Sequence, residues 1–533
     1  VVAIALAAAG ALTLSGCTSG DTGATDESGS STAIITTNGN EPQNPLIPTN
    51  TNEVGGGKIL DSIFAGLIFY DADGAPVNDM AESIETEDAQ HYTIKIKADQ
   101  TFSNGEPVTA NSFVDAWNYG AALDNAQLSS YFFESIEGFS YDVNVPELPG
   151  LVVVDDLTFE VTLSQPESDF PLRLGYSAFF PLPESAWEDI EAFGENPIGN
   201  GPYMLDGEGA WKHNEKIDLV VNPDYQGPRQ PANGGLDIIF YATQDASYAD
   251  LQGGNVDVVD QIPPSALGTY EDEFGDRSVN QAAAIFQSFT IPARLPHFSG
   301  EEGELRRAAI SKAINREEIS DVIFEGAASA AHDFTSPVID GYSEEIPGAD
   351  VLEFDADAAK DLWAEADAIS PWTGTFQIGY NADGGHQAWV DAVANQLKNN
   401  LGIEASGNPF PTFAEFRTSV TDRAIQTAFR TGWQADYPSL FNFLGPIYGT
   451  DAGSNDGDYS NPEFDTLLTE GLAETELDAA NAKFQQAQEI LFKDLPAIPL
   501  WYRTVNGAWS EQVENVQYGW NSVPLYYQIT KSE

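Results

Sequence analysis

Ala356-Asp-Ala-Ala-Lys-Asp-Leu-Trp-Ala-Glu-Ala-Asp-Ala368, Thr375-Phe-Gln-Ile-Gly-Tyr380, Gln387-Ala-Trp-Val-Asp-Ala-Val-Ala-Asn-Gln-Leu-Lys-Asn399 and Ile403-Glu-Ala-Ser-Gly-Asn-Pro-Phe410 follow one another with short breaks. They read as helix, strand, helix and a second extended stretch. That succession is the mark of crossover units, because parallel strands are joined only by a chain that returns across the sheet, usually as a helix. Working outward, His91-Tyr-Thr-Ile-Lys-Ile-Lys97, Leu157-Thr-Phe-Glu-Val-Thr-Leu163 and Ile217-Asp-Leu-Val-Val221 alternate with the strand period. A helix opens at Val108-Thr-Ala-Asn111 and runs through Ser112 to Tyr119, with Phe113 and Trp117 four apart on one face; Glu304 to Phe324 and Phe484 to Leu495 keep the same period. The expected class is α/β, with at least one open sheet per lobe and a ligand cleft between lobes.

The chain has 533 residues, enough for two or three domains, and shows no repeat at solenoid periods. Asp and Glu number 83 against 22 Lys and Arg, a formal charge of −61. Nucleic acid and anionic lipid surfaces bind through clustered cations, so the charge argues against both as partners. With 42% apolar and 11% aromatic residues the chain still builds packed cores, so acidity here is not disorder. It points to a salt-adapted extracytoplasmic protein, in which dissolved ions screen self-repulsion.

One cysteine excludes an internal disulfide framework and any Cys-based zinc site. Val1 to Leu14 is uncharged and almost wholly apolar, too short to span a bilayer but suited to the core of a secretory signal. Leu14-Ser15-Gly16-Cys17 then looks like a bacterial lipobox, which gives a signal peptide at 1–16, lipidation at Cys17 and a flexible Ser/Thr/Gly/Asp-rich tether at 17–32. A plain signal with an incidental cysteine is the alternative.

Catalytic and metal chemistry find little support. The five histidines are dispersed, and no metalloprotease motif, nucleophile elbow or dinucleotide fingerprint occurs. Gly55-Gly56-Gly57-Lys58 does not make a phosphate loop, since Ile59 stands where a hydroxyl must reach magnesium; it reads as a turn before a helix at Ile59. Carboxylates are so abundant that pairs at acid/base separation arise by chance.

From about Asn40 onward the order of landmarks resembles the oligopeptide- and dipeptide-binding family of extracellular solute-binding proteins of ABC importers (family 5). The landmarks are Asp71-Ala-Asp-Gly74, Met80-Ala-Glu-Ser83, Phe102-Ser-Asn-Gly-Glu-Pro-Val-Thr109, Asn196-Pro-Ile-Gly-Asn-Gly-Pro-Tyr203, Asn222-Pro-Asp-Tyr225, Leu305-Arg-Arg-Ala-Ala-Ile-Ser-Lys-Ala-Ile-Asn-Arg316, Gly432-Trp-Gln-Ala-Asp-Tyr-Pro438 and Tyr459-Ser-Asn-Pro-Glu-Phe-Asp465. The resemblance implies a two-lobed periplasmic-binding-protein-like fold (type II, cluster C) with an additional N-terminal subdomain. Lobe I is expected from 33–58, 190–283 and 500–533, its subdomain at 59–189, and lobe II at 284–499, with hinge crossings near Ala284 and Pro499. Gly105 and Gly201, in Asn-Gly turns, are expected at positive φ.

The resemblance also implies site residues. Asp436 pairs with the α-ammonium of a peptide, beside an aromatic wall at Trp433; from the residues alone, a surface aspartate stays open. Arg430 matches an arginine that meets the peptide's C-terminal carboxylate, with a salt bridge to the acidic surface as its alternative. Arg423 falls two positions from where a second such arginine stands. Phe410 is a wall or a core residue, and Asn52 to Val54 match the stretch that pairs with peptide main chain. The implied function is capture of oligopeptides and delivery to an ABC permease, without enzymatic activity, cofactor or metal, by a monomer held at the outer membrane face through its lipid anchor. Two rivals stay open: the same fold binding dipeptides, metal chelates, haem or oligosaccharides, and a surface hydrolase.

Overall fold

A computed structural model describes residues 32–411 and 413–532. The lipobox at Cys17, the signal at 1–16 and the tether up to residue 31 lie outside the described residues. Ten strands form one continuous path in the order Glu404–Phe410, Thr375–Asn381, Ala428–Gln434, Ser278–Thr290, Ala497–Trp509, Val258–Val259, Ile34–Gly39, Gly235–Phe240, Lys216–Val221 and Tyr203–Leu205. The open sheet expected in each lobe is thus one sheet shared by both halves. Ser278–Thr290 and Ala497–Trp509 are 13 residues each, long enough to pair with each other through both halves of the molecule. Their antiparallel ladder shifts register between Ala282 and Phe286, a local irregularity of the bulge type that bends and twists a sheet.

The apolar interior divides accordingly. One core joins Ile35, Ile59, Phe64, Trp117, Phe159 and Leu236; the other joins Phe286, Ile310, Trp389, Phe443, Leu491 and Trp501. The returning strand passes from one to the other between Tyr502 and Val505. A separate four-stranded antiparallel sheet, Ala81–Thr86, His91–Ile96, Thr158–Thr162 and Leu151–Asp155 in spatial order, packs in the first core beneath the Ala110–Ala121 helix. Contacts also cross between the halves. The Ser168 amide donates to the Leu472 carbonyl at 2.7 Å, its hydroxyl to that of Gly471 at 3.3 Å, and the Arg173 guanidinium lies 5.3 Å from the Tyr437 ring centroid.

The quoted crossover unit forms as read: helix Ala356–Ile369, strand Thr375–Asn381, helix Gln387–Leu401, strand Glu404–Phe410, with the two strands parallel and adjacent. Three local expectations need correction. Glu304 to Phe324 is two helices, Gly300–Lys312 and Arg316–Ile323, because the Asn315 side chain accepts from the Glu318 amide and caps a new start. Gly55 to Gly57 are not a turn; the helix begins at Val54, with the Glu53 carboxylate accepting from the Gly56 amide. Gly105 has the expected positive φ of 86°, whereas Gly201 does not. Gly201 is needed for close approach, since a Cβ there would meet the backbone of Ile63 and Phe64 at 2.6 Å.

Other landmarks prove to be buried pins. Arg316 donates to the carbonyls of Ser311, Ile314, Leu352 and Pro499, tying a helix start to the long shared strand; burial lowers its pKa to about 9. The Asn200 side chain both accepts from and donates to the backbone of Ala65. Among the described residues no helix is long and apolar enough to cross a membrane.

Candidate functional site

A cavity of about 320 Å³ opens between the two halves of the chain. Its floor is one face of the Val54–Ile63 helix: Val54, Gly57, Lys58, Asp61 and Ser62 all line it, at the i, i+3, i+4, i+7, i+8 spacing that brings side chains to one side. Gly57 leaves open space there, since a Cβ on it would meet nothing within 4 Å. Tyr70, Tyr176 and Trp520 supply aromatic walls, with Tyr70 and Trp520 edge to face at 5.3 Å. Gln434, Ala435 and Asp436 close the opposite side, at the end of the strand Ala428–Gln434.

Asn442, on the Leu440–Tyr448 helix, organises that side. Its Oδ1 accepts from the Trp433 indole N–H at 3.1 Å and from the Asp436 amide at 3.0 Å, while its Nδ2 reaches Asp436 Oδ2 at 3.4 Å. Among the described residues no cationic group pairs with the Asp436 carboxylate, and burial pushes its pKa up to about 6, opposed only by the Asn442 bond. Asp61 is raised to about 6 as well, again by burial, which the charge of Arg229 only partly offsets.

The cavity's two cations are already engaged. Lys58 forms an ion pair with Asp260, each side chain 3% exposed, and Asp260 also accepts from the Asn38 amide group at 2.9 Å. Arg229 donates from Nε to Asp79 at 3.0 Å and from its terminal nitrogens to the carbonyls of Asp61 and Phe64 at 2.6 and 2.9 Å. Tyr225, from the Asn222 to Tyr225 landmark, donates to the same Asp79. Two further carboxylates of the lining are spent locally, Glu53 on its helix cap and Asp71 on the amides of Asp73 and Ala75.

The structure thus gathers three of the residues singled out from the sequence, Asn52, Val54 and Asp436, around one cavity. Val54 is 48% exposed as the first residue of its helix. Trp433 does not line the cavity but stands behind it, sharing Asn442 with Asp436. Arg430 and Phe410 lie together elsewhere. The Arg430 Nε donates to Asn381 Oδ1 at 2.9 Å, its guanidinium sits 5.3 Å from the rings of Phe413 and Phe416, and Phe410 packs 5.7 Å from Phe416 against a small satellite core. Arg423 pairs with Asp456 and Asp458.

Sequence reading missed Asp61, Lys58, Tyr70, Tyr176, Asn442 and Trp520. The helical face carrying Lys58 and Asp61 becomes legible once the helix is started at Val54; Trp520, 84 residues beyond Asp436, has no local signal.

Comparison with known proteins gives a consistent result. Residues 75–455 match the family model described as bacterial extracellular solute-binding proteins, family 5 Middle. The chain is 25% identical over 530 residues to the oligopeptide-binding protein OppA of Bacillus subtilis, covering 95% of this chain and 94% of the relative. It is 27% identical over 487 residues to the periplasmic oligopeptide-binding protein OppA of Escherichia coli, covering 88% and 87%. In fold it is similar to an unliganded open form of MppA, a periplasmic murein tripeptide binding protein, with a TM-score of 0.81 at 20% identity over 94% of this chain and 98% of that one.

Proposed function

This chain belongs to family 5 of the bacterial extracellular solute-binding proteins, and on that premise we propose that it is an oligopeptide receptor of an ABC importer. It captures peptides between its lobes and delivers them to the permease, with no chemistry on the substrate. The observation that carries this reading is Asp436: a carboxylate facing an interlobe cavity, desolvated, and with no cation among the described residues to compensate it. The α-ammonium that every peptide presents supplies the missing charge whatever the side chains are. Asn442, itself held by the Trp433 indole, keeps the aspartate in place, and at the rim Asn52 offers main chain while Val54, as the first residue of its helix, offers its amide rather than an extended strand for pairing. Arg430 and Phe410, on the strands that lead toward the same edge, serve the far end of a longer peptide. Closure bends the two long shared strands between lobe I (33–58, 190–283, 500–533, with the subdomain 59–189) and lobe II (284–499). Cys17 anchors the monomer to the outer membrane face.

The test is calorimetry on wild type and Asp436→Asn, each with a free and an N-acetylated peptide. Removing one side of a buried charge pair typically costs about 2 to 5 kcal/mol, so Asp436→Asn weakens binding roughly 30- to 4,000-fold at about 1.4 kcal/mol per decade. N-acetylation costs wild type a similar amount and adds little in the variant. Equal binding of both peptides by wild type overturns the ammonium anchor.

A further inference from the structure

Of the carboxylates that line the cavity, Glu53 and Asp71 are satisfied by backbone amides and Asp436 is taken by the ligand's ammonium in the reading above. Asp61 is left over. No hydrogen bond or ion pair reaches its carboxylate from within the described residues: Arg229, whose charge acts on it, gives Nε to Asp79 and its terminal nitrogens to main-chain carbonyls of Asp61 and Phe64. Lys58, on the same helical face, is consumed by Asp260. Asp61 also occupies the last turn of its helix, the end whose dipole disfavours a carboxylate, and Arg229 spends its terminal nitrogens on the carbonyls there rather than on the Asp61 side chain. A side chain kept at that position, on the floor of a cavity and against the helix dipole, gains its compensation from whatever enters.

The two unpaired carboxylates share one compartment. Tyr70 and Tyr176 line the same cavity, and each hydroxyl is pushed well above its ordinary range by burial together with the fields of both Asp61 and Asp436. The open space over Gly57 leaves room on the helix face for a ligand group to approach Asp61, and the faces of Tyr70 and Tyr176 suit a cation as well as an apolar stem.

We propose that Asp61 forms a second cation-binding subsite, so that the preferred ligands carry a basic side chain in addition to the ammonium held by Asp436. This inference rests on the reading of Asp436 as the ammonium anchor. The ligand class it names is short peptides with a lysine- or arginine-type residue close to the N-terminus.

Calorimetry with Lys-Ala-Ala, Ala-Lys-Ala and Ala-Ala-Lys, each against its norleucine counterpart, tests it on the full chain. Norleucine keeps the stem of lysine and removes the charge, so the ratio of the two affinities reads the subsite alone. In wild type the lysine peptide of at least one pair binds about tenfold tighter or better, as close charge pairs at interfaces do. That ratio falls toward one in Asp61→Asn and in Asp61→Ser, two variants that check each other for folding, and returns in Asp61→Glu. A ratio near one at every position in wild type, or one unchanged by both substitutions, overturns the subsite while leaving the ammonium anchor in place. If none of the six peptides binds wild type, the anchor reading fails and the subsite with it.

Discussion

Two sets of buried charges wall the same cavity, and they are built differently. On one side Arg229 meets Asp79, Tyr225 and two helix carbonyls, and Lys58 meets Asp260, which Asn38 also supports. By contrast, among the described residues Asp61 and Asp436 face the cavity with no ion-pair partner, the charge of Arg229 only partly offsetting the burial of Asp61. A buried ion that is paired and hydrogen-bonded has its desolvation cost offset within the fold, so such a group holds structure. A desolvated ion left unpaired carries that cost until a ligand arrives, which links it to binding. The difference separates scaffolding from recognition in a chain whose 83 acidic residues otherwise hide every functional carboxylate among surface ones.

Among the paired charges, Arg229 is the one whose loss costs most. Arg229→Met strands Asp79 in the core and removes the donors to the Asp61 and Phe64 carbonyls, so a loss of about 3 to 5 kcal/mol in urea denaturation is expected, with part of it recovered in the double variant Arg229→Met/Asp79→Asn. Asp436→Asn removes a burial cost instead and is expected to leave stability equal or higher while binding collapses; a destabilisation as large as that of Arg229→Met would place Asp436 among the scaffolding residues.

Acidity sharpens the same contrast. Asp436 titrates near 3.8 when unfolded and near 6 in the folded, unliganded protein. Between those values the native state takes up a proton that the unfolded chain does not, so this group's contribution to unliganded stability grows as pH falls from about 6 to 4 and is lost as pH rises through 6. Binding runs the opposite way, because only the ionised carboxylate pairs with an ammonium: affinity is expected to drop by up to about tenfold per pH unit below pH 6. Melting curves with and without peptide, compared between wild type and Asp436→Asn from pH 4 to 8, check both signs. The smallest expected effect is at Gly57. With open space at its Cβ and an ordinary helical φ, Gly57→Ala should stabilise the unliganded protein by about 0.5 to 1 kcal/mol, and a loss of stability would mean that the helix face is not open.

How far the sequence reads depends on the range of each signal. The crossover unit from Ala356 to Phe410 was legible because periodicity and breaks act over a few residues, and its four elements appear in order. The break at Asn315 was missed because a cap inside an apolar-periodic stretch competes with the helix it interrupts. The glycines before Lys58 read as a turn because their intrinsic propensity is poor, yet close packing on Asn40, Thr51 and Glu53 holds Gly55 and Gly56 in a helix. Of the residues singled out for the site, Asn52, Val54 and Asp436 meet at the cavity while Arg430 and Phe410 gather around Phe416, a division that no spacing along the chain encodes.

Read alone, the sequence carries the α/β class, a strong excess of acidic residues and the ordered landmarks of a solute-binding family, because composition and short-range pattern are properties of the chain as written. Tertiary structure alone decided that a single sheet runs through both halves, and which carboxylates keep a cation. Arg229 reaches Asp79 across 150 residues and Lys58 reaches Asp260 across 202, so whether a buried charge is spent or available is settled only when distant segments close around it.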